Sequence, residues 1–128
     1  KVSSRINTTW GGNWVDMIRF SAIKKGIKDY NLLESVNRVG AKLIEGLKTV
    51  PVINNVRGLG LMVAFDLENP QKRDEVLEKM EERMLALKCG PRSIRLRPHL
   101  SFSETDAEIA CAFIEQAVTC IHDSVAAA

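Results

Sequence analysis

The chain has 128 residues, of which 45% are hydrophobic and 27% are charged, and its formal net charge is +2. These values are typical of one globular domain with a single core, and they argue against nucleic-acid binding because the charge is small and the basic residues are scattered. No apolar stretch approaches the roughly 20 residues of a membrane span, and no apolar run follows the charged first residues as in a signal peptide. The chain starts at Lys1 without an initiator Met, so we expect it to begin inside a longer protein.

The three cysteines, Cys89, Cys111 and Cys120, form an odd set with no Cys-x-x-Cys spacing. This pattern favours free thiols in a reducing compartment over a disulfide framework or a zinc site, and we expect no metal. Cys111 and Cys120 lie in a stretch with helical apolar periodicity. There we expect the thiols to act as small hydrophobic side chains.

The first third of the chain predicts an arm and two helices. Residues 1–12 are polar and contain glycine, as in an extended arm. Asn13 is the expected N-cap of a helix that carries Asp16 in its first turn and runs to about Asp29. A second helix follows and ends before Pro51, because the residue before proline avoids the helical region. Its apolar stripe is Leu32, Val36, Val39, Leu43 and Leu47.

The middle of the chain predicts one buried strand. The sequence is almost continuously apolar from Leu59 to Leu67, which is typical of a strand covered on both faces. Gly58-Leu59-Gly60 precedes this strand and not a helix, so it indicates a tight bend or bulge instead of a nucleotide-binding loop. We expect Arg57 to bind a nearby carbonyl or an acid, and we assign it no ligand.

The last third predicts a helix, two short strands and a final helix. The helix covers about residues 71–86, with Val76 among its apolar positions and Arg73 on its charged face, and its acidic run around Glu78 is expected to be solvated. The strands cover residues 85–89 and 93–97. Ser103 and Asp106 predict an N-terminal cap for the last helix. Its expected apolar positions are Ile109, Ala110, Phe113, Ile114, Ala117 and Ile121.

The order of these elements predicts an α+β fold with a small three-stranded sheet covered by helices. We expect three parts: an arm at residues 1–12, a linking helix at residues 13–30, and a C-terminal small α/β domain at residues 31–128.

Two places carry residues suited to binding. The segment from Asn7 to Asn13 places hydroxyls and glycine amides ahead of a helix, an arrangement that suits a phosphate, although the spacing alone favours a surface turn before a capped helix. Arg95 and Arg97 alternate on one strand and are expected to share a face, where their planar forks match carboxylates. A pair of solvent-facing arginines is the alternative there. His99 and His122 are isolated, and no nucleophile–base–acid set is evident.

Three segments of the chain resemble the class III pyridoxal-phosphate-dependent aminotransferases. Ser3–Asn13 is similar to the segment that follows their catalytic region, in the form found in the lysine 6-aminotransferases. Arg57–Met62 resembles their Arg-Gly-x-Gly-Leu strand entry, and Ser93–Pro98 resembles their Arg-Phe-Arg-Pro strand. The segments occur in the same order, so the resemblance covers nearly the whole chain. It implies the C-terminal portion of the family, with the C-terminal domain of fold-type I aminotransferases.

The resemblance also implies an activity. The family enzyme is a cytoplasmic homodimer that uses pyridoxal 5'-phosphate to move the terminal amino group of L-lysine to 2-oxoglutarate. Thr9 matches the threonine that binds the cofactor phosphate across the dimer, with Asn7 and Thr8 lining the same region. Arg95 matches the arginine that holds the substrate α-carboxylate, and Arg97 stands beside it.

The catalytic machinery of the family is expected outside this chain. The Schiff-base lysine and the acid at the pyridine nitrogen lie upstream in the family, so we expect no catalytic residue here and no activity from these 128 residues alone. One departure is His99, which stands where the lysine enzymes often carry a second proline.

Two alternatives remain open. The chain is either part of such an enzyme or a freestanding, non-catalytic binding or scaffolding domain derived from the aminotransferase C-terminus. A fragment should leave part of its first helix exposed, whereas a freestanding domain should be closed. Sister enzymes that act on ornithine or 4-aminobutyrate share the fold and the arginine.

Overall fold

The computed structural model describes Thr9 and residues 12–126, with side chains as far as His122. The chain divides into two compact units, one up to Leu33 and one from Glu34 onward. The assignment of the arm and linking helix to separate domains stays a prediction. The elements are α1 (Trp14–Asp29), α2 (Leu32–Thr49), β1 (Asn54–Leu59), β2 (Met62–Asp66), α3 (Pro70–Glu81), β3 (Leu87–Cys89), β4 (Ser93–Leu96) and α4 (Glu104–Ala126).

In the first unit, α1 begins as the sequence predicts. The Asn13 side chain accepts a hydrogen bond from the amide of Val15 at 2.9 Å, and Asp16 lies in the first turn, where the helix dipole favours an acid. None of the residues of α1 is buried, and Trp14 and Phe20 are 80% and 65% exposed. The cap and the first-turn acid therefore predicted the helix correctly, but they did not predict whether it is buried.

In the second unit, the sheet has four strands in the order β1-β2-β4-β3, and all neighbours are antiparallel. The prediction of an α+β fold is confirmed, but the predicted count of three strands is wrong. The missing strand, β1, lies at an edge of the sheet and starts with two asparagines. It shows no alternation of apolar and polar residues, because almost all of its side chains are exposed.

The apolar run from Leu59 to Leu67 is a turn followed by a strand. Gly60 has a φ of 55°, a conformation that glycine adopts without steric cost, and it connects β1 to β2 in a hairpin. The predicted bend at these glycines is therefore confirmed. A Cβ on Gly40 of α2 would lie 2.2 Å from the carbonyl oxygen of Gly60, so helix and turn meet by direct backbone contact.

One face of the sheet carries the core. Val63 and Phe65 of β2 and Ile94 and Leu96 of β4 are buried, and they share one cluster with side chains of α2, α3 and α4. Met62, which alternates with them, is 58% exposed. The prediction that this strand is covered on both faces is therefore wrong at Met62, which no described residue of this unit shields from solvent.

The predicted third helix is too long, and one of its charged residues is misplaced. It ends at Glu81, five residues earlier than predicted. Arg73 is only 7% exposed and donates a hydrogen bond to the carbonyl of Gly90 at 3.0 Å. It lies three residues before Val76 and so belongs to the buried stripe, where its fork ties α3 to the turn between the last two strands.

The final helix begins with the predicted cap. The Ser103 hydroxyl accepts from the Asp106 amide at 3.1 Å, and the Asp106 carboxylate accepts in return from the Ser103 amide at 2.9 Å. The apolar stripe is confirmed at Ala110 and Ile114, whereas Ile109 is 48% exposed. The stripe is therefore narrower than predicted.

The three cysteines are free. Burial raises the pKa of the Cys111 thiol, as is typical of a packed thiol, whereas Cys120 is exposed and does not act as the small core residue that we predicted. No helix within the described part of the chain is both long and apolar enough to cross a membrane.

Candidate functional site

Arg95 lies in β4 on the side of the sheet opposite the core. Its neighbours Ile94 and Leu96 are buried, and the alternation of a strand directs Arg95 to the other side. Arg95 lies opposite Ala64 of β2 in the antiparallel ladder. Since alanine is small, it leaves room beside the guanidinium. We call the side of the sheet formed by Ala64, Asp66, Ser93 and Arg95 the outer face.

The guanidinium of Arg95 has no partner within the part of the chain that the structure describes. Its Nε atom is the only buried side-chain nitrogen or oxygen there without a hydrogen bond. Leaving a buried donor unpaired costs about 1–3 kcal/mol, so such an atom calls for an explanation. An arginine fork binds a carboxylate through two parallel hydrogen bonds. The arrangement is therefore chemically suited to an anion supplied from outside the described residues.

Asp66 shares the outer face with Arg95 but is occupied by other partners. Its Oδ1 accepts hydrogen bonds from the Ser93 hydroxyl at 2.6 Å and from Arg57 Nη1 at 2.8 Å. Its Oδ2 accepts from the Asn55 amide group at 3.0 Å. The hydrogen bond from Ser93, followed by those from Asn55 and Arg57, holds the pKa of Asp66 well below its ordinary value although burial opposes this. Asp66 is therefore a fixed negative charge.

Arg57 closes this network. It donates to Asp66, to the Ser93 hydroxyl at 3.1 Å, and to the carbonyl of Asn55 at 2.9 Å. The prediction that Arg57 binds a carbonyl or an acid is confirmed, because it binds both. The sequence pattern did not indicate Asp66 and Ser93 as members of a site. The available signal was an acid that ends an otherwise apolar strand, but only the pairing of β2 with β4 brings the serine to it.

Arg97 is placed differently from Arg95. The strand ends at Leu96, one residue earlier than predicted, so Arg97 is exposed and follows the strand. Arg97 lines a cleft of about 270 Å³ whose wall includes Leu43 and Phe102, and Arg95 is not part of that wall. The prediction that the two arginines share one strand face is therefore wrong.

His99 is not isolated, contrary to the prediction. Its Nδ1 lies 2.9 Å from the Ser101 hydroxyl, and its ring meets that of Phe102 edge-on with centroids 6.1 Å apart. These contacts fix the turn that leads from β4 to α4. His99 therefore has a structural role at the position where the resemblance implied a second proline.

The predicted phosphate-binding segment is only partly described. Asn7 and Thr8 lie outside the described residues, while Thr9 is an exposed turn residue. Gly12 has a φ of 95° just before α1, and Asn13 already caps that helix. An exposed hydroxyl and a left-handed glycine before a helix are groups that suit a phosphate. Thr9 belongs to the first unit and Arg95 to the second.

The chain is similar to known aminotransferases over most of its length. The family model described as aminotransferase class-III matches residues 1–118. The L-lysine-epsilon aminotransferase of Amycolatopsis lactamdurans is 41% identical over 114 residues, which are 84% of this chain and 25% of that protein. The 4-aminobutyrate aminotransferase of Saccharomyces cerevisiae is 39% identical over 115 residues, which are 84% of this chain and 24% of that protein.

Solved structures agree with these relatives. The lysine aminotransferase from M. tuberculosis superposes with a TM-score of 0.84 at 33% identity, covering 94% of this chain and 29% of that one. The chain therefore belongs to the class III aminotransferases, a family that depends on pyridoxal phosphate. It spans about a quarter of the length of the relatives that it matches.

Proposed function

We propose that the complete protein is a pyridoxal-phosphate-dependent aminotransferase that transfers the terminal amino group of L-lysine to 2-oxoglutarate. In this proposal Arg95 binds a substrate carboxylate. The observation that carries it is the buried Nε of Arg95, which has no partner among the described residues. The similarity to L-lysine-epsilon aminotransferases supports lysine as the amino donor.

The chemistry fits this role because L-lysine and 2-oxoglutarate both carry a carboxylate next to the α-carbon. A bidentate hydrogen-bonded pair with Arg95 would fix the orientation of either substrate, and the rigid strand β4 would hold the fork in place. When bound, the cofactor supplies an electron sink for the amino transfer. We expect Arg97 to contribute at most a weaker, more solvated contact, since it lies beyond the strand.

Thr9, with Thr8 and Asn7, would bind the cofactor phosphate. The exposed hydroxyl of Thr9 and the left-handed backbone of Gly12 support this part of the proposal. As in the resemblance described above, these residues would serve the site of a second subunit in a cytoplasmic homodimer. The Schiff-base lysine would come from outside this chain.

A second candidate is transfer from 4-aminobutyrate. The 39% identity to the yeast 4-aminobutyrate aminotransferase supports it. Like L-lysine, this donor carries its carboxylate at the end remote from the amino group that is transferred, so Arg95 would suit either donor as well as 2-oxoglutarate. The two candidates are therefore separated by the preferred donor.

The test is steady-state kinetics of the complete protein with L-lysine, ornithine or 4-aminobutyrate as donor. We expect L-lysine to be preferred. Arg95→Gln should lower kcat/KM by about 30-fold or more, because losing one partner of a buried charge pair costs about 2–5 kcal/mol. Arg38→Gln is the matched control. Arg38, on α2, forms an exposed ion pair with Glu104 of α4, and its loss should change kcat/KM by less than about twofold.

Equal kcat/KM values for Arg95→Gln and the parent would refute the carboxylate role. A preference for 4-aminobutyrate would favour the second candidate. The absence of any transamination by the complete protein would instead favour a non-catalytic binding or scaffolding domain.

A further inference from the structure

On the outer face, one arginine is neutralised and the other is not. Arg57 and Arg95 lie on opposite sides of Ala64, which pairs with both in the antiparallel ladder. Arg57 has its positive charge matched by Asp66 at 2.8 Å, whereas Arg95 has no ion pair with any described residue. Both arginines lie near the carboxylate of Asp66, but only Arg57 is paired with it.

Asp66 is the natural competitor for Arg95 inside the chain. The pairing of Asp66 with Ser93 and of Ala64 with Arg95 makes Asp66 and Arg95 diagonal neighbours on one face of adjacent strands. Diagonal neighbours lie about 7–8 Å apart, which is within the reach of a long side chain. An unoccupied Asp66 would therefore attract the Arg95 guanidinium and compete with any external carboxylate.

The network around Asp66 prevents this capture. Arg57 and Ser93 occupy Oδ1, Asn55 occupies Oδ2, and Arg92 Nε lies 3.6 Å from Oδ2. Arg57 also holds the Ser93 hydroxyl from its other side at 3.1 Å, which directs the hydroxyl proton to Asp66. Arg57 and Arg92 both form ion pairs with Asp66, and Arg57 is the closer of the two and also orients the Ser93 hydroxyl.

We propose that Arg57 is a positioning residue for substrate binding: by saturating Asp66 it keeps Arg95 free for the carboxylate of the substrate. This inference rests on the proposed function, because it takes Arg95 as the carboxylate-binding group. It assigns Arg57 no contact with substrate or cofactor.

The test measures the dissociation constant of glutarate, a dicarboxylate probe, for the complete protein with its cofactor bound. Arg57→Gln should weaken glutarate binding by about tenfold if Asp66 captures Arg95 for about 90% of the time, since apparent affinity falls with the competent fraction. The double variant Arg57→Gln/Asp66→Asn removes the competing charge and should recover an affinity within about threefold of the parent. Arg57→Lys keeps the positive charge next to Asp66 and should retain most of the glutarate affinity. It therefore shows whether weak binding by Arg57→Gln comes from the lost charge or from misfolding.

Rescue by Asp66→Asn is the outcome that a merely structural role would not give, because the second substitution removes still more of the network. Weak binding by both Arg57→Gln and the double variant would overturn the inference, as would unchanged binding by Arg57→Gln. Arg95→Gln separates the two proposals. If it leaves glutarate affinity unchanged, the carboxylate role of Arg95 fails and this inference fails with it. If it abolishes binding while Arg57→Gln does not weaken it, only the role of Arg57 fails.

Discussion

The face of the sheet that carries the core, here called the inner face, differs from the outer face in whether its side chains find partners among the described residues. On the inner face, Val63, Phe65 and Ile94 are fully buried, and each completes its contacts within the chain. On the outer face, polar groups form a closed network around Asp66, and directly beside it Arg95 has a buried donor with no partner among the described residues. The inner face holds the fold together. The outer face positions one cation at a cost in stability, as expected of a binding site.

The largest effect is expected on the inner face. Phe65→Ala should lower the free energy of unfolding by about 3–5 kcal/mol, because it removes a fully buried ring from a packed core. Met62→Ala is the matched control on the same strand. Met62 is 58% exposed, so its loss should cost less than about 1 kcal/mol in urea unfolding. Equal losses for the two variants would mean that the faces do not differ as described.

An intermediate effect is expected at Asp66. Its pKa is lowered in the folded chain, so its contribution is present at neutral pH and is lost as pH falls below the ordinary carboxyl pKa of about 4. Asp66→Asn should lower the free energy of unfolding by about 1–3 kcal/mol at pH 7, with the lower end favoured because Arg57 is partly exposed.

The pH dependence distinguishes this charge from the shape of the side chain. The stability difference between the parent and Asp66→Asn should shrink as the pH is lowered from 5 to about 2, when urea unfolding is repeated at each pH. A difference that stays constant over this range would show that the carboxylate charge contributes nothing.

Local signals in the sequence predicted much of the fold. The cap at Asn13, the reciprocal cap of Ser103 and Asp106, and the α2 stripe from Val36 to Leu47 all depend on residues within one or two helical turns, and all are confirmed. Strand β1 was missed because its residues form a strand by pairing with β2, while their sequence shows no alternation of apolar and polar residues. Arg73 was misplaced because arginine is normally exposed. Its burial depends on a carbonyl 17 residues further along the chain.

The site was predicted only at the level of residue type. Arginine in a strand indicates a carboxylate ligand, and the family resemblance selected Arg95. What distinguishes Arg95 from the other described arginines is a buried donor without a partner, and that depends on three different strands. Asp66 lies on β2, Arg57 on β1 and Ser93 on β4, so no single segment contains the information.

The smallest effect is expected at Arg95, and its size decides whether this side chain serves a ligand or the fold. The measurement is the free energy of unfolding of Arg95→Gln by urea at pH 7, beside the parent chain. We expect a change of less than about 0.5 kcal/mol, or a slight gain, because the substitution removes a buried donor that has no partner among the described residues. A loss of more than about 1.5 kcal/mol would show instead that the guanidinium stabilises the folded chain and is not held free for a ligand.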